Sequence, residues 1–248
     1  LDLVVRPPSG HPMADLDQPL RFSAMVPLQV YNTLQIAAER ERLCRTDILI
    51  IGGGAIDAGL EAEIRQLPGE VYSTYGMTET LSHIALRRLN GPDASTLYYP
   101  FPSVRLSLSP EHTLIIDAPL VCDTILVTND VAEINSDGSF SILGRKDNAI
   151  NTGGIKVQAE QVEDILRPWI HVPFAVTSVS DAALGEAVVL LIENGGYTER
   201  LEEKMKELLT KYQLPKMVFS VGAIPLTETG KINRAGCRQL AATYQVGR

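Results

Sequence analysis

Long apolar runs are missing from this sequence. No stretch approaches the roughly 20 consecutive apolar residues needed to span a bilayer, and the longest, such as 188–192, are the length of a strand. Within these residues neither a transmembrane helix nor a secretory leader is expected. Cysteine is scarce: Cys44, Cys122 and Cys237 are odd in number, far apart and without metal-ligand spacing. That argues against a disulfide framework, and a reducing cytoplasm is the simple expectation. Positive charge is also short, with 22 Lys and Arg against 30 Asp and Glu and a net charge of −8. This balance weighs against a nucleic-acid partner. Internal repeats and low-complexity tracts are absent. So is an initiating Met: the chain opens on Leu1-Asp2-Leu3-Val4-Val5, a buried-strand pattern ended by Pro7 and Pro8, and reads as a piece cut from something longer.

What is present is an ordinary globular composition. The 248 residues, 45% hydrophobic and 21% charged, allow one large domain or two ordinary ones with a sizeable core. Residues 22–26 read as a strand. Pro27 suits the first turn of a helix, where its missing N–H is not needed, and Val30, Leu34, Ala37 and Ala38 recur at helical spacing. The run 47–51, DILII, fits a strand covered on both faces. Gly52-Gly53-Gly54-Ala55 follows it, and Asp57 caps a helix carrying Leu60, Ile64 and Leu67. Strand, glycine turn and helix in that order let backbone approach a ligand at the carboxyl end of a parallel sheet. A tight turn with no ligand uses the same residues.

Residues 71–73 read as another strand, followed by Thr74-Tyr75-Gly76-Met77-Thr78-Glu79-Thr80. Two hydroxyls around a carboxylate suit Mg²⁺ and phosphate oxygens, and Tyr75 offers a ring for a base. The alternative is a polar loop in which Thr78 or Thr80 caps a helix over 81–86, with His83 on its face. From 96 to 143 short alternating strands appear, at 104–108, 113–116, 125–127, 132–135 and 139–143, with a hairpin signal at Asp137-Gly138. They form a small antiparallel sheet or distorted barrel. Asp130 ends one of them, where it is either a turn aspartate or an acceptor for a ribose diol.

The stretch 144–156, GRKDNAINTGGIK, reads as a joint. Beyond it lie a helix at 158–166, strands at 174–179 and 187–192, an amphipathic helix at 198–212, a strand at 216–221, an extended loop ending in Gly230-Lys231, and a last helix at 233–244. This is a self-contained α+β unit of about 100 residues.

Five motifs then fall in one order: Gly53-Gly54-Ala55, Ser73 to Thr80, Thr128-Asn129-Asp130, Gly144-Arg145-Lys146-Asp147, and Gly230-Lys231. Together they resemble the adenylate-forming superfamily of acyl-CoA synthetases, luciferases and peptide-synthetase adenylation domains. Met25-Val26-Pro27-Leu28-Gln29-Val30, Tyr75 to Ala85 and Val127 to Asp130 are most similar to the o-succinylbenzoate–CoA ligase branch, which serves menaquinone biosynthesis. The resemblance covers the whole chain but only the later part of the family's pattern, without its Ser/Thr/Gly-rich phosphate loop. It implies an α/β fold with an α+β lid. Residues 1–146 would be the later part of the large domain, with a mixed sheet in 1–93 and a β-barrel-like subdomain in 94–146. Residues 147–248 would be the complete small C-terminal domain.

The resemblance also implies a two-step reaction. A small carboxylic acid attacks the α-phosphate of ATP, and coenzyme A then displaces AMP as co-substrate. Glu79 would hold Mg²⁺ and Thr78 would bond phosphate. Tyr75 would lie against adenine, with Gly53, Gly54, Ala55 and Gly76 around the nucleotide. Asp130 and Arg145 would take the ribose, and Lys231 would bridge the substrate carboxylate and the α-phosphate. Asp147 matches the hinge. Gly153 and Gly154 would pass the pantetheine arm, with Lys156 nearby toward coenzyme A. Ser82 and His83 would face the acyl pocket. The family usually reads Thr-Gly-Asp where this chain has Thr128-Asn129-Asp130, and Asn stands in most readily for Gly at positive φ. The usual arginine after the glycine loop is Lys156. Another acyl-CoA synthetase, a carrier-protein adenylation domain and a non-catalytic nucleotide-binding module remain alternatives. A homo-oligomer is compatible with the sequence.

Overall fold

The computed structural model describes residues 2–54, 56, 58–227 and 230–246. They form two compact units. The first takes Leu1–Ser107, Ile115–Val127 and Ile134–Ser141, and the second takes Leu108–Leu114, Thr128–Glu133 and Ile142–Arg248.

The first unit is built on a five-stranded sheet. Strand β1 (Leu20–Met25) leads into helices α1 (Pro27–Gln35) and α2 (Ala37–Leu43), then β2 (Thr46–Ile51), α3 (Ala58–Ile64), β3 (Glu70–Gly76), β4 (His83–Arg88) and β5 (Tyr99–Pro100). Spatial order follows chain order, with β1, β2 and β3 parallel and β4 and β5 antiparallel additions. Pro27 opens α1 as expected, and the Val26 N–H, left over at the helix start, is taken by the Gln29 side-chain oxygen at 3.0 Å. The helical run breaks at Ile36, whose extended backbone (φ −112°, ψ 114°) separates α1 from α2.

Register places Met25, Ile51 and Ser73 on one face of this sheet and Phe22, Ile48 and Glu70 on the other. The first face packs under Val30, Leu34, Leu43, Leu60 and Ile64 from the helices. The second is open: Ile48 is 37% exposed while Leu49 is 2% and Ile51 0%. The apolar run of β2 is therefore covered on one face, because the helices around it pack on one side. One further expectation and one alternative reading are overturned. Residues 2–5 belong to no strand, with Leu3 and Val5 exposed. Apolar composition alone makes no strand without a partner to take its N–H and C=O groups. Residues 83–88 form strand β4, not part of a helix, because β3 is followed by a reversal that returns the chain antiparallel to it.

A second sheet, in order β6-β7-β8-β9, comprises β6 (Arg105–Leu108), β7 (Thr113–Asp117), β8 (Leu126–Ile134) and β9 (Phe140–Arg145), and its strands contribute residues to both units. It is an open sheet rather than a barrel, since four strands are too few to close around a core. The hairpin at Asp137-Gly138 is present, with the Asn135 N–H on the Ser139 carbonyl at 2.8 Å and Gly138 at φ +84°. The strands expected at 125–127 and 132–135 are one strand, β8. The polar triplet Thr128-Asn129-Asp130 lies inside it, with Thr128 and Asp130 buried and Asn129 exposed.

The second unit continues with β10 (Ala149–Thr152), β11 (Ile155–Gln158), α4 (Ala159–Leu166), β12 (Phe174–Asp181), β13 (Gly185–Glu193), α5 (Glu199–Leu208), β14 (Met217–Val221) and α6 (Arg234–Val246). The sheet order is β11-β10-β13-β12, with β14 pairing parallel to β13. Strand β13 is buried on both faces. Val188, Leu190 and Ile192 pack with α4 and α5, and Val189 and Leu191 pack with Phe219 and with Cys237 and Ala241 of α6. The hairpin β10–β11 was hidden in a stretch read only as a joint.

Glu163 of α4 and Arg234 of α6 meet at edge strand β12. Their ion pair is bidentate at 2.6 and 2.8 Å, and Glu163 is 3% exposed. Glu163 also accepts from the Val176 N–H (2.7 Å), and Arg234 donates to the Val176 carbonyl (3.2 Å). Removing one partner of a buried pair strands the other charge. Glu163→Ala is expected to lower the stability of this unit by about 3–5 kcal/mol, read as a drop in the denaturation midpoint, whereas exposed Glu203→Ala leaves it nearly unchanged.

Candidate functional site

In the first unit, the carboxyl ends of β1, β2 and β3 open onto a cleft of about 480 Å³. Ala24, Ile50 and Thr74 line it from the strands, Gly52 and Gly53 from the turn after β2, and Gly76, Met77, Thr78, Leu81, Ser82 and His83 from the segment after β3. The geometry depends on missing side chains. A Cβ on Gly52 would stand 2.6 Å from the Thr74 hydroxyl. A Cβ on Gly76 would stand 2.2 Å from the Ser82 carbonyl oxygen and 2.6 Å from the His83 Cα. Gly53 holds φ +80°.

The segment after Gly76 is a single 3-10 turn, Thr78–Thr80. Thr80 is fully buried, and its hydroxyl accepts from the Met77 N–H (3.1 Å) and lies 2.7 Å from the Ser82 carbonyl oxygen. Leu81 leaves the turn at φ +58°, a costly conformation for a branched side chain. The result is a fixed turn that presents Thr78 and Glu79 to solvent. Among the described residues, the Glu79 carboxylate makes no hydrogen bond or ion pair. His83 is half-buried at the start of β4, with Nδ1 2.9 Å from the Ser82 hydroxyl and its ring 5.6 Å from Phe101.

Of the residues singled out in this unit, Gly53, Gly76, Thr78, Ser82 and His83 converge on the cleft. Gly54, Tyr75 and Glu79 do not line it, and Ala55 and Asp57 lie outside the described residues. Tyr75 packs in an aromatic group, 5.3 Å from Phe140 and 5.9 Å from Tyr98 between ring centroids. Sequence reasoning missed Gln29, Thr74, Met77 and Leu81 as lining residues. Gln29 sits at the third helical position after Val26, a capping signal that also fixes its side chain at the cleft mouth.

In the second unit, Asp130 and Arg145 pair at 3.1 Å. Arg145 also reaches Asp147 at 3.4 Å, and the Asn129 amide donates to the same Asp147 oxygen at 3.2 Å. Asn129 is not at positive φ. It lies in strand β8, so backbone permissiveness does not explain its presence. Lys146 pairs with Glu111 and holds that carboxyl below its ordinary range. Gly153 (φ +58°) and Gly154 (φ +82°) form the β10–β11 turn, and a Cβ on Gly153 would stand 3.2 Å from the Tyr212 ring. Lys156 is exposed on β11. Lys231 follows Gly230 (φ +77°), and its backbone is anchored by the Thr227 N–H on its carbonyl (2.7 Å) and by its own N–H on the Thr227 hydroxyl (3.1 Å). Its side chain is exposed and makes no ion pair with the described residues. Glu228 and Thr229, in the same loop, lie outside the described residues.

A mixed sheet whose parallel strands end at a glycine-lined cleft, followed in sequence by a smaller α+β unit, defines an α/β protein with an open cleft at the carboxyl ends of its parallel strands. No protein-family model matches the sequence. The 2-succinylbenzoate–CoA ligase of Lactococcus lactis is 26% identical over 204 residues, 75% of this chain and 45% of that protein. An acyl-CoA synthetase (AMP-forming)/AMP-acid ligase II-like protein from Dyadobacter fermentans, of known structure, is 33% identical, with 95% of this chain and 69% of that chain covered at a TM-score of 0.56. ATP-bound MatB from Rhodopseudomonas palustris shares the fold at a TM-score of 0.75 and 22% identity, covering 88% of this chain and 50% of that one. The chain belongs to the AMP-forming acyl-CoA synthetases of the adenylate-forming family. It spans about half the length of the curated relatives it matches (45% for the first).

Because all three close contacts of a Cβ at Gly76 are backbone atoms, Gly76→Ala is expected to lower stability by about 1–3 kcal/mol and to displace Ser82 and His83. A denaturation midpoint, and the His83 ring resonances in an NMR spectrum, would report the two effects separately.

Proposed function

We propose that the protein carrying this chain is an ATP-dependent acid–CoA ligase, with o-succinylbenzoate as its acid and menaquinone biosynthesis as its setting. The observation that carries the reading is the Thr78–Thr80 turn. It offers a free carboxylate and a hydroxyl from a turn fixed by a buried side chain, beside a glycine-lined cleft large enough for a small ligand. The likeness to 2-succinylbenzoate–CoA ligases over most of the chain supports the choice of acid. A cytoplasmic location belongs to the same reading.

In the first half-reaction a carboxylate oxygen of the acid attacks the α-phosphorus of ATP, and the bond to the β-phosphate oxygen breaks. The products are the acyl-adenylate and pyrophosphate. In the second, the thiol of coenzyme A attacks the acyl carbon, AMP departs, and the thiol proton is lost to solvent or base. Such chemistry depends on positioning and charge neutralisation.

Thr78 bonds phosphate oxygen. Gly53 and Gly54, with Ala55, line the base, while Tyr75 packs against it and Gly76 lets the phosphates approach the backbone. Asp130 and Arg145 take the ribose hydroxyls. Lys231 is the long-stemmed charge that neutralises the α-phosphate and steers the attacking carboxylate. Asp147 is the pivot between the half-reactions. Gly153 and Gly154 let the pantetheine chain pass, and Lys156 meets a phosphate of coenzyme A. Ser82 and His83 face the acid.

A magnesium ion fits Glu79. The described residues include no cluster of three or more His, Cys, Asp or Glu side chains, and Mg²⁺ characteristically takes one or two carboxylates and fills its shell with phosphate oxygens and water. When bound, it supplies neutralisation of the triphosphate charge.

In the full-length protein, Lys231→Ala is expected to lower adenylation about 100-fold or more, in the range of a lost charge-stabilising group. Transfer from a supplied acyl-adenylate should stay mostly intact. ATP–pyrophosphate exchange and thioester formation measured separately would test this, and equal loss of both removes the role given to Lys231. Asp147→Pro is expected to slow thioester formation more than adenylation, and a wild-type thiolation rate would remove the pivot. A panel of carboxylic acids that includes o-succinylbenzoate tests the substrate. Preference for a fatty or aryl acid, or for a carrier protein in place of coenzyme A, favours another branch of the family.

A further inference from the structure

Asn129 stands where the family pattern has glycine, and the strand conformation at this position gives no backbone reason for either residue. The reason lies in the side chain. Strand alternation buries Thr128 and Asp130 and turns Asn129 outward. There its amide donates to Asp147 Oδ2 at 3.2 Å. The same oxygen accepts from Arg145 at 3.4 Å, and Arg145 is held by Asp130 at 3.1 Å. Two donors from separate strands thus converge on one carboxylate, in the short 3-10 turn Lys146–Asn148 that precedes β10.

The two donors are not equivalent. Arg145 is shared with Asp130, so any ligand that engages Asp130 and Arg145 competes for the guanidinium. Among the described residues, the Asn129 side chain makes one hydrogen bond, the one to Asp147. A glycine could make none.

We propose that Asn129 is a positioning residue that latches Asp147, and that it holds the 146–148 turn in its present conformation when Arg145 is drawn away. The latch is weak by construction. Asp147 is 60% exposed and Arg145 51% exposed, so the bond shifts a local equilibrium by about two- to fivefold rather than locking it. That is the scale useful to a segment that has to move. The functional half of the inference rests on the reading of Asp147 as the pivot.

The turn carries its own reporter, since Arg145 and Lys146 are both trypsin sites. In the full-length protein without nucleotide, Asn129→Ala is expected to raise the rate of cleavage after Arg145 and Lys146 about two- to fivefold. Mass spectrometry of the released fragments measures this, with the global denaturation midpoint unchanged because Asn129 is exposed. Asn129→Asp, which sets two carboxylates together, should raise it further. Combining Asn129→Asp with Asp147→Asn exchanges donor and acceptor and should return the rate toward wild type, which a merely structural effect at either position would not do. Cleavage of the Asn129→Ala protein at the wild-type rate, or no recovery in the exchanged pair, overturns the latch. If cleavage follows the predicted order while the ratio of thioester to adenylate formation stays constant, the latch stands and the pivot role of Asp147 falls.

Discussion

A fully buried hydroxyl and an absent β-carbon fix the most consequential turn of the first unit. Strand β3 has to reverse into β4 within a few residues, and the reversal closes only because Gly76 leaves room for the Ser82 carbonyl. Thr80 then ties Met77 and Ser82 together with one side chain. The strain left over is concentrated at Leu81, which holds φ +58° while its N–H bonds the Thr78 carbonyl at 3.0 Å. Thr78 and Glu79 ride on this closed loop. Among the described residues nothing pairs the Glu79 carboxylate, because its neighbours carry the structural duties, which is how a site holds a charge in place without pairing it. The cleft beside them inherits its shape from the same constraint, since Gly76, Met77, Leu81, Ser82 and His83 all belong to the reversal.

Legibility followed the strength of each local pattern. The helix α5, though it stops at Leu208 and not at 212, and the strand β13 were plain in the sequence, because one has a sharp 3.6-residue period and the other a continuous apolar run between turn residues. Strand β8 was not. Thr128-Asn129-Asp130 has turn composition, and nothing local says that Thr128 and Asp130 are buried while Asn129 bonds a residue eighteen positions away. The segment 81–86 failed for a related reason. A hydroxyl followed by apolar residues resembles a capped helix, and only the pairing with β3 makes it a strand. Residues 2–5 are the converse, a strand composition that meets no partner.

The candidate site was legible as chemistry more than as geometry. Glycine, hydroxyl and carboxylate in the order found near 52–54 and 74–80 pointed to the carboxyl end of a parallel sheet, and Gly53, Gly76, Thr78, Ser82 and His83 do meet there. The contribution of Leu81 was invisible, because it acts through its backbone angle, and that of Gln29 was readable only as a helix-capping signal. In the second unit the motif residues Asp130, Arg145 and Asp147 were each identifiable, but their mutual contacts were not. Ion pairs between two strand segments and a turn have no signature in a single sequence.

The Glu163–Arg234 pair has a consequence beyond the free energy of folding. Strand β12 is the edge of its sheet, eight residues long with six of them buried, and such an edge invites another strand to add to it. Glu163 occupies the Val176 N–H and Arg234 its carbonyl, so the backbone groups at the middle of that edge are already engaged by side chains. The pair therefore leaves those two backbone groups unavailable to an added strand. It protects a surface that ordinary hydrophobic packing would leave chemically hungry.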